Sequence, residues 1–190
     1  MTNPSNISFA SLSEDGYGLL MSIAEPKELK KAEVLLHESQ VCKHVYYVES
    51  GYLKAIHNND GKEVSLSFTF PGSFTTNLRS LRTGVPSGYN IQACKPAIVW
   101  KLEKDKLFGL YAQSLEISTF GRDLLELLLI AQEEHTNIFK LNTPAERYQY
   151  VLKHNPELLQ KVSLTDLASY LAISRETLSR IRKKYTSSIL

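Results

Sequence analysis

The sequence predicts an α+β chain with three parts: an N-terminal β unit (a sandwich, jelly roll or barrel), one long helix, and a C-terminal helix-turn-helix. Three observations carry this prediction. Val45–Val48, Tyr52–Ile56, Val64–Phe70 and Ala97–Leu102 are short runs rich in β-branched and aromatic residues, set between turn signals. Helical periodicity then runs from Leu115 to Leu141. Finally, Ser163–Lys184 reads as two short helices around a tight corner, the second with a cationic outer face. The implied divisions are a sensor over residues 1–114, a dimerisation helix over 115–141 and a DNA-binding unit over 142–190.

In chain order, a short helix is expected from Glu14 to Ala24, stopped by Pro26. The strands follow, broken at Ser50-Gly51, at the hairpin turn Asn58-Asn-Asp-Gly61 and at Pro71-Gly72. On the long helix, Leu124, Leu128, Ala131, His135 and Ile138 follow a 4-3-4-3 spacing, the pattern of a coiled-coil seam. Leu125, Leu127 and Leu129 widen the apolar surface, so one flank should pack on the β structure while the seam meets a second copy. Asn142 breaks this helix, and Thr143-Pro-Ala-Glu146 restarts it with a capping box and proline in the first turn. The new helix holds Tyr148, Val151 and Leu152 and stops at Asn155-Pro156, leaving a hinge at Leu141–Thr143.

In the C-terminal unit, Leu164, Leu167, Ala168 and Leu171 recur at helical spacing, as do Leu178 and Ile181 beyond the corner. Ser163, with Asp166 three residues on, caps the first helix, and Ser174 caps the second. Ile173 plugs the corner, and the small Ala168 sits where two crossing helices approach. What remains on the second helix is Arg175, Glu176, Thr177, Ser179, Arg180, Arg182 and Lys183, hydrogen-bonding types suited to base edges in a major groove. Residues 161–190 carry six cations against two anions, although the whole chain is only +2. Positive charge gathered on one terminal unit favours phosphate attraction over general solubility.

Leu171-Ala-Ile-Ser-Arg-Glu-Thr-Leu-Ser-Arg-Ile-Arg182 resembles the helix-turn-helix of the CRP/FNR transcription regulators. The resemblance implies that Arg175, Glu176 and Arg180 read bases and that Ser174 and Thr177 hold phosphates. Ser179, Lys183 and Lys184 complete the expected DNA-binding set. Ala172 replaces the family's usual turn glycine, which is tolerable where the backbone there is not strongly left-handed. Val48–Lys54, Asp60–Glu63 and Phe70–Phe74 resemble that family's cyclic-nucleotide-binding β-roll, which implies an N-terminal double-stranded β-helix (jelly roll) as effector sensor and carries the likeness over nearly the whole chain. The phosphate cassette differs. Asn77 stands where the family has a ribose-binding Glu, and Ser87-Gly88 where it has Arg-Ser. A buried cyclic phosphate would lack its counter-charge, so cyclic AMP is not the expected effector. Asn77, Arg79, Arg82, Ser87 and Gln132 are the candidate positions for some other small molecule. The resemblance also implies palindromic duplex DNA, a second copy of the chain and RNA polymerase as partners. No β-hairpin wing is expected after the recognition helix.

Other classes find little support. No run approaches the ~20 apolar residues that span a membrane, and the N-terminus lacks the basic start and apolar run of a secretion signal. With only Cys42 and Cys94, a reduced cytoplasmic setting is expected, and an iron–sulfur cluster held by one chain is not. No catalytic constellation or metal set stands out, and no cofactor is assigned. His37, His44 and His57 lack the His-x-His spacing of a cupin-like metal enzyme, which ranks third. The second alternative is a ligand-binding signalling module whose helix-turn-helix contacts protein.

Overall fold

The computed structural model describes residues 9–141 and 143–186. Two antiparallel four-stranded sheets face each other. One has β1 (Ala24–Leu29), β8 (Ala97–Glu103), β3 (His44–Ser50) and β6 (Phe74–Thr75) in that spatial order. The other runs β2 (Val34–Leu36), β7 (Asn90–Ala93), β4 (Leu53–Asn59) and β5 (Lys62–Thr69). Neighbours distant in sequence are the mark of a roll. Between the sheets lie Leu29, Leu36, Tyr46, Val48, Leu53, Ile91, Ala93, Ala97 and Val99, all buried. Ala55 pairs with Ser67 and Ile56 with Ser65, so Leu66 is an extra residue in β5, a β-bulge on this outer strand.

Turn chemistry agrees with the sequence. Asp60 and Gly61 both have positive φ, at 51° and 83°, the backbone of a two-residue hairpin of type I′. The Asn58 side chain accepts the Gly61 N–H at 2.9 Å. Gly51 is required twice over: its φ is +75°, and a Cβ there would sit 2.4 Å from the Pro96 carbonyl oxygen. Pro26 behaves differently from expectation. The first helix, α1 (Glu14–Ser22), ends before it, and Pro26 lies inside β1, an outer strand paired with β8 alone. An outer strand tolerates the missing N–H.

Two further helices, α2 (Leu78–Thr83) and α3 (Lys104–Gln113), pack on the roll. The long helix, α4 (Leu115–Leu141), has the bounds the periodicity predicts. Its base is fastened to the roll: Ile117, Phe120 and Leu124 join Leu20, Phe74, Leu102, Leu107 and Leu110 in one apolar cluster. Glu116 accepts the Ser13 N–H at 2.6 Å and its hydroxyl at 2.8 Å, tying α4 to the cap of α1.

Four helices complete the chain: α5 (Pro144–His154), α6 (Pro156–Lys161), α7 (Leu164–Tyr170) and α8 (Arg175–Thr186). They enclose Tyr148, Val151, Leu158, Val162, Leu167, Ala168, Leu171 and Leu178. Tyr52 of the roll belongs to this same cluster, with Phe68, Phe70 and Cys94 at its edge. Asn142, the expected breaker at the hinge, lies outside the described residues, as does the segment after Thr186 in which a wing was sought.

Candidate DNA-reading face and effector cleft

Each helix start in the C-terminal unit is made by the residue the sequence marks. Thr143 Oγ1 accepts the Glu146 N–H at 3.4 Å, and the Glu146 carboxylate returns to the Thr143 N–H at 2.7 Å, a complete capping box. Ser163 Oγ accepts the Asp166 N–H at 3.1 Å, and Ser174 Oγ accepts the Thr177 N–H at 3.1 Å. Asp166 does not close the box on the Ser163 backbone. Its carboxylate takes the Ser163 hydroxyl and the ammonium of Lys54 instead.

The corner differs from the expectation. Ala172 has φ +53°, so this non-glycine residue is strongly left-handed. The strain belongs to the Cβ, which crowds the following carbonyl in that conformation. The corner is held nonetheless. The Ile173 N–H donates to the Ala168 carbonyl at 3.0 Å, and Arg147 Nη1 reaches the Leu171 carbonyl at 2.9 Å.

On α8, Leu178 is fully buried and Ile181 and Tyr185 pack inward. The opposite side presents Ser174, Arg175, Glu176, Ser179, Arg180, Lys183 and Lys184 to solvent, with Thr177 half-buried beside them. A hydrogen bond to its own backbone N–H, then one from Ser174, holds the Glu176 carboxyl below the usual carboxylate range. It is therefore an acceptor at neutral pH, suited to a cytosine amino group. Arg175 beside it has the complementary chemistry, a bidentate donor of the kind suited to guanine.

The candidate effector positions are not all brought together. Asn77 and Ser87 meet, both buried, with Asn77 Nδ2 donating to Ser87 Oγ at 2.8 Å. Asn77 Oδ1 also caps α2 by accepting the Ser80 N–H at 3.0 Å, and Ser87 Oγ donates to the Tyr89 carbonyl at 2.6 Å. These two side chains satisfy each other and leave no charge between them. Arg79 and Arg82 are exposed on α2, with the Arg82 guanidinium 4.9 Å above the Phe108 ring. Gln132 is exposed on α4, and no hydrogen bond joins it to the other four.

The expected seam on α4 is shared out differently. Leu124 is spent on the roll. The His135 ring lies 4.7 Å from Phe139 and 5.3 Å from Tyr170 of α7, within its own chain. Burial holds its imidazole below the ordinary histidine pKa, and Nε2 is buried with no hydrogen-bond partner. Ala131 and Ile138 are half-buried. Beyond Leu115 at its start, the large apolar residues that α4 leaves to solvent are Leu125, Leu128, Leu129 and Ile130, with Leu129 70% exposed. Of the expected seam residues, Leu128 is the exposed one.

Cys42 and Cys94 are free thiols, and burial pushes Cys94 up to about 12, away from thiolate chemistry. Among the described residues no group of three or more His, Cys, Asp or Glu is placed to hold a metal ion, and no helix is long and apolar enough to cross a membrane. Sequence reasoning passed over Tyr52, which bonds the last residue of α6, and Lys54, Ser65 and Ser169, which join the roll to α7. The one available signal was Lys54, a cation between Leu53 and Ala55 in an apolar strand.

Residues 26–114 match the cyclic nucleotide-binding domain family. No curated protein sequence matches the chain. Among solved structures, FixK2 from Bradyrhizobium japonicum is similar at TM-score 0.73 and 20% identity, over 87% of this chain and 86% of that one. The c-di-GMP responsive global regulator CLP of Xanthomonas campestris gives TM-score 0.68 at 18% identity, over 94% of each chain. The catabolite activator protein of Thermus thermophilus gives 0.60 at 18% identity, over 97% of this chain and 87% of that one.

Proposed function

We propose that this chain, which carries a cyclic nucleotide-binding domain over residues 26–114 on the fold of the CRP/FNR-type regulators, is a sequence-specific DNA-binding transcription regulator working as a cytoplasmic homodimer. The observation that carries the reading is α8. Its apolar side is sealed by Leu178, while Arg175, Glu176 and Arg180 stand exposed near a capped N-terminal end. A helix so arranged enters a major groove N-terminal end first, with Arg for guanine and Glu for cytosine. Lys183 and Lys184 would lie along phosphates, and Ser174 and Thr177 at the helix start would add hydrogen bonds to the backbone. The two copies would meet through Leu125, Leu128 and Leu129 of α4, with Ala131 and Ile138 at the margin.

The effector in this reading is a small molecule other than cyclic AMP. A cyclic phosphate entering at Asn77–Ser87 would have to break a satisfied, uncharged pair and would find no cation in exchange. RNA polymerase remains the natural downstream partner of such a regulator. The test is selection from a random duplex pool followed by a salt titration of the enriched site. Enrichment of a palindrome whose affinity falls steeply with salt supports the reading, because each neutralised phosphate releases counterions. Salt-insensitive binding to a protein partner, with no enriched sequence, would replace it with a protein-contact role for the helix-turn-helix.

A further inference from the structure

The recognition unit is fastened to the roll by more than the connection through residue 142. Helix α7 lies along β5, the outer strand of its sheet. The Ser65 N–H donates to Ser169 Oγ at 2.9 Å, and that hydroxyl donates onward to the Glu63 carbonyl at 3.3 Å. Lys54 Nζ reaches Asp166 Oδ1 at 3.0 Å and Glu63 Oε2 at 3.3 Å, with the lysine side chain only 11% exposed. The Tyr52 hydroxyl donates to the Lys161 carbonyl at 2.9 Å. Around these bonds the Tyr170 ring sits 5.7 Å from Phe68, and Tyr52 is buried among the reader's own core residues.

We propose that the β4–β5 hairpin and α7 form a clamp that sets the separation of the two recognition helices, with Lys54 and Ser169 as positioning residues for the half-site spacing of the operator; this rests on the DNA-binding reading above. The docked arrangement is not a cover, because Arg175, Glu176 and Arg180 stay exposed while α7 is held. A reader joined only by a short flexible link would sample a range of half-site spacings. A reader bolted to the roll, whose long helix pairs with its twin, offers one. Linked binding events gain from effective concentration only at separations the link permits, so stiffening narrows the accepted set. The ion pair suits this task. Burial alone would pull the Lys54 pKa down, but the bond and charge of Asp166, then of Glu63, raise it, so the lysine stays charged in the docked state. Removing Lys54 leaves the half-buried Asp166 carboxylate without its cation.

The test uses the full-length chain and the operator it enriches from a random pool. That operator is compared with derivatives whose half-sites are moved apart or together by one to three base pairs, and with an isolated half-site. The wild type should prefer one spacing. Lys54→Met, which keeps the apolar stem, and Ser169→Ala should each lower that preference about tenfold while leaving isolated half-site affinity unchanged. Hydrogen exchange at the Ser65 amide should accelerate in Ser169→Ala, and the exchanged pair Lys54→Asp with Asp166→Lys should recover part of the preference. Wild-type spacing preference in both single variants would overturn the clamp while leaving the regulator intact. Failure of the wild type to enrich any sequence would overturn the regulator reading, and the clamp's role with it.

Discussion

Arg180 and Lys183 lie three residues apart on α8, yet the proposed function gives them different kinds of contact. Arg180 stands with Arg175 and Glu176 on the exposed side, one to two turns from the capped start. A bidentate arginine–guanine contact carries ~1–3 kcal/mol of base discrimination, so Arg180→Ala should relax preference at one guanine in each half-site and leave the fold intact. Specificity profiles of the two proteins on one randomised library check this, and identical profiles remove Arg180 from the reading set. Lys183→Ala should weaken all sequences about equally and reduce the salt slope by about 1. Ala172 sits at the other extreme, a residue that reads nothing and carries strain at φ +53°. Ala172→Gly should stabilise the chain by about 1 kcal/mol, measured as a shift in denaturant midpoint at unchanged slope. At this scale the sequence was highly legible, because capping depends on one side chain and the next three backbone N–H groups: Ser163, Ser174 and Thr143 all cap as expected. The Ala172 backbone was not legible, since a left-handed alanine is imposed by the packing of Leu171 and Ile173 on either side and not by its own preference.

Elements divided by how much of their pattern is local. Helix α4 could be read to its end residues because its period persists for 27 residues. Strands β1, β2 and β7 escaped notice because they are short and their alternation is blurred by Pro26 or cut to a few residues. The helices α2, α3 and α6, of 6, 10 and 6 residues, are supported by what they pack against more than by their own periodicity. The seam shows the same limit in reverse. Spacing alone could not say that the roll takes Leu124 and that Tyr170 takes His135, and so it could not show that Leu125 and Leu129 are left over. Leu129→Glu or Leu128→Glu should therefore split the dimer and weaken operator binding, read by sedimentation at micromolar protein; a wild-type monomer that binds DNA normally would sink the dimer. His135 gives α4 a pH dependence of known sign. Its folded pKa lies below the ordinary 6.5, so the unfolded chain binds more protons, and stability falls as pH drops through about 6.5 toward the lower folded value. His44, also lowered by burial, adds to the same slope. His135→Leu should flatten it in part, measured by denaturant midpoints between about pH 5 and pH 7.5.

For the whole molecule, the roll is joined to the C-terminal helices and to the base of α4 through two separate apolar clusters. The reader's apolar cluster takes in Tyr52, while the roll's second cluster takes in the base of α4. In the proposed reading, a ligand that shifted the roll would act on α7 through β4 and β5 as well as along α4, provided it made different contacts in two states. On the same proposal, cyclic AMP would fail that condition at the first step. Its phosphate would need the position held by Asn77 and Ser87, which are 5% and 3% exposed and hydrogen-bonded to each other. Opening that pair would strip Ser80 of its cap acceptor and the Tyr89 carbonyl of its donor. Each buried polar group left unpaired costs about 1–3 kcal/mol, and the buried polar side chains among the described residues, Ser65, Asn77, Ser80 and Ser87, include no cation to offset it. Arg79 and Arg82, on the helix that Asn77 caps, are exposed, with Arg82 already over Phe108. Titration calorimetry with cyclic AMP at micromolar concentrations should show no binding heat, and operator affinity should be the same with and without the nucleotide. Saturable micromolar binding that is lost in Arg82→Ala would mean that α2 rearranges to bring this arginine inward, and would restore the roll to the nucleotide-sensing role that Asn77 and Ser87 argue against.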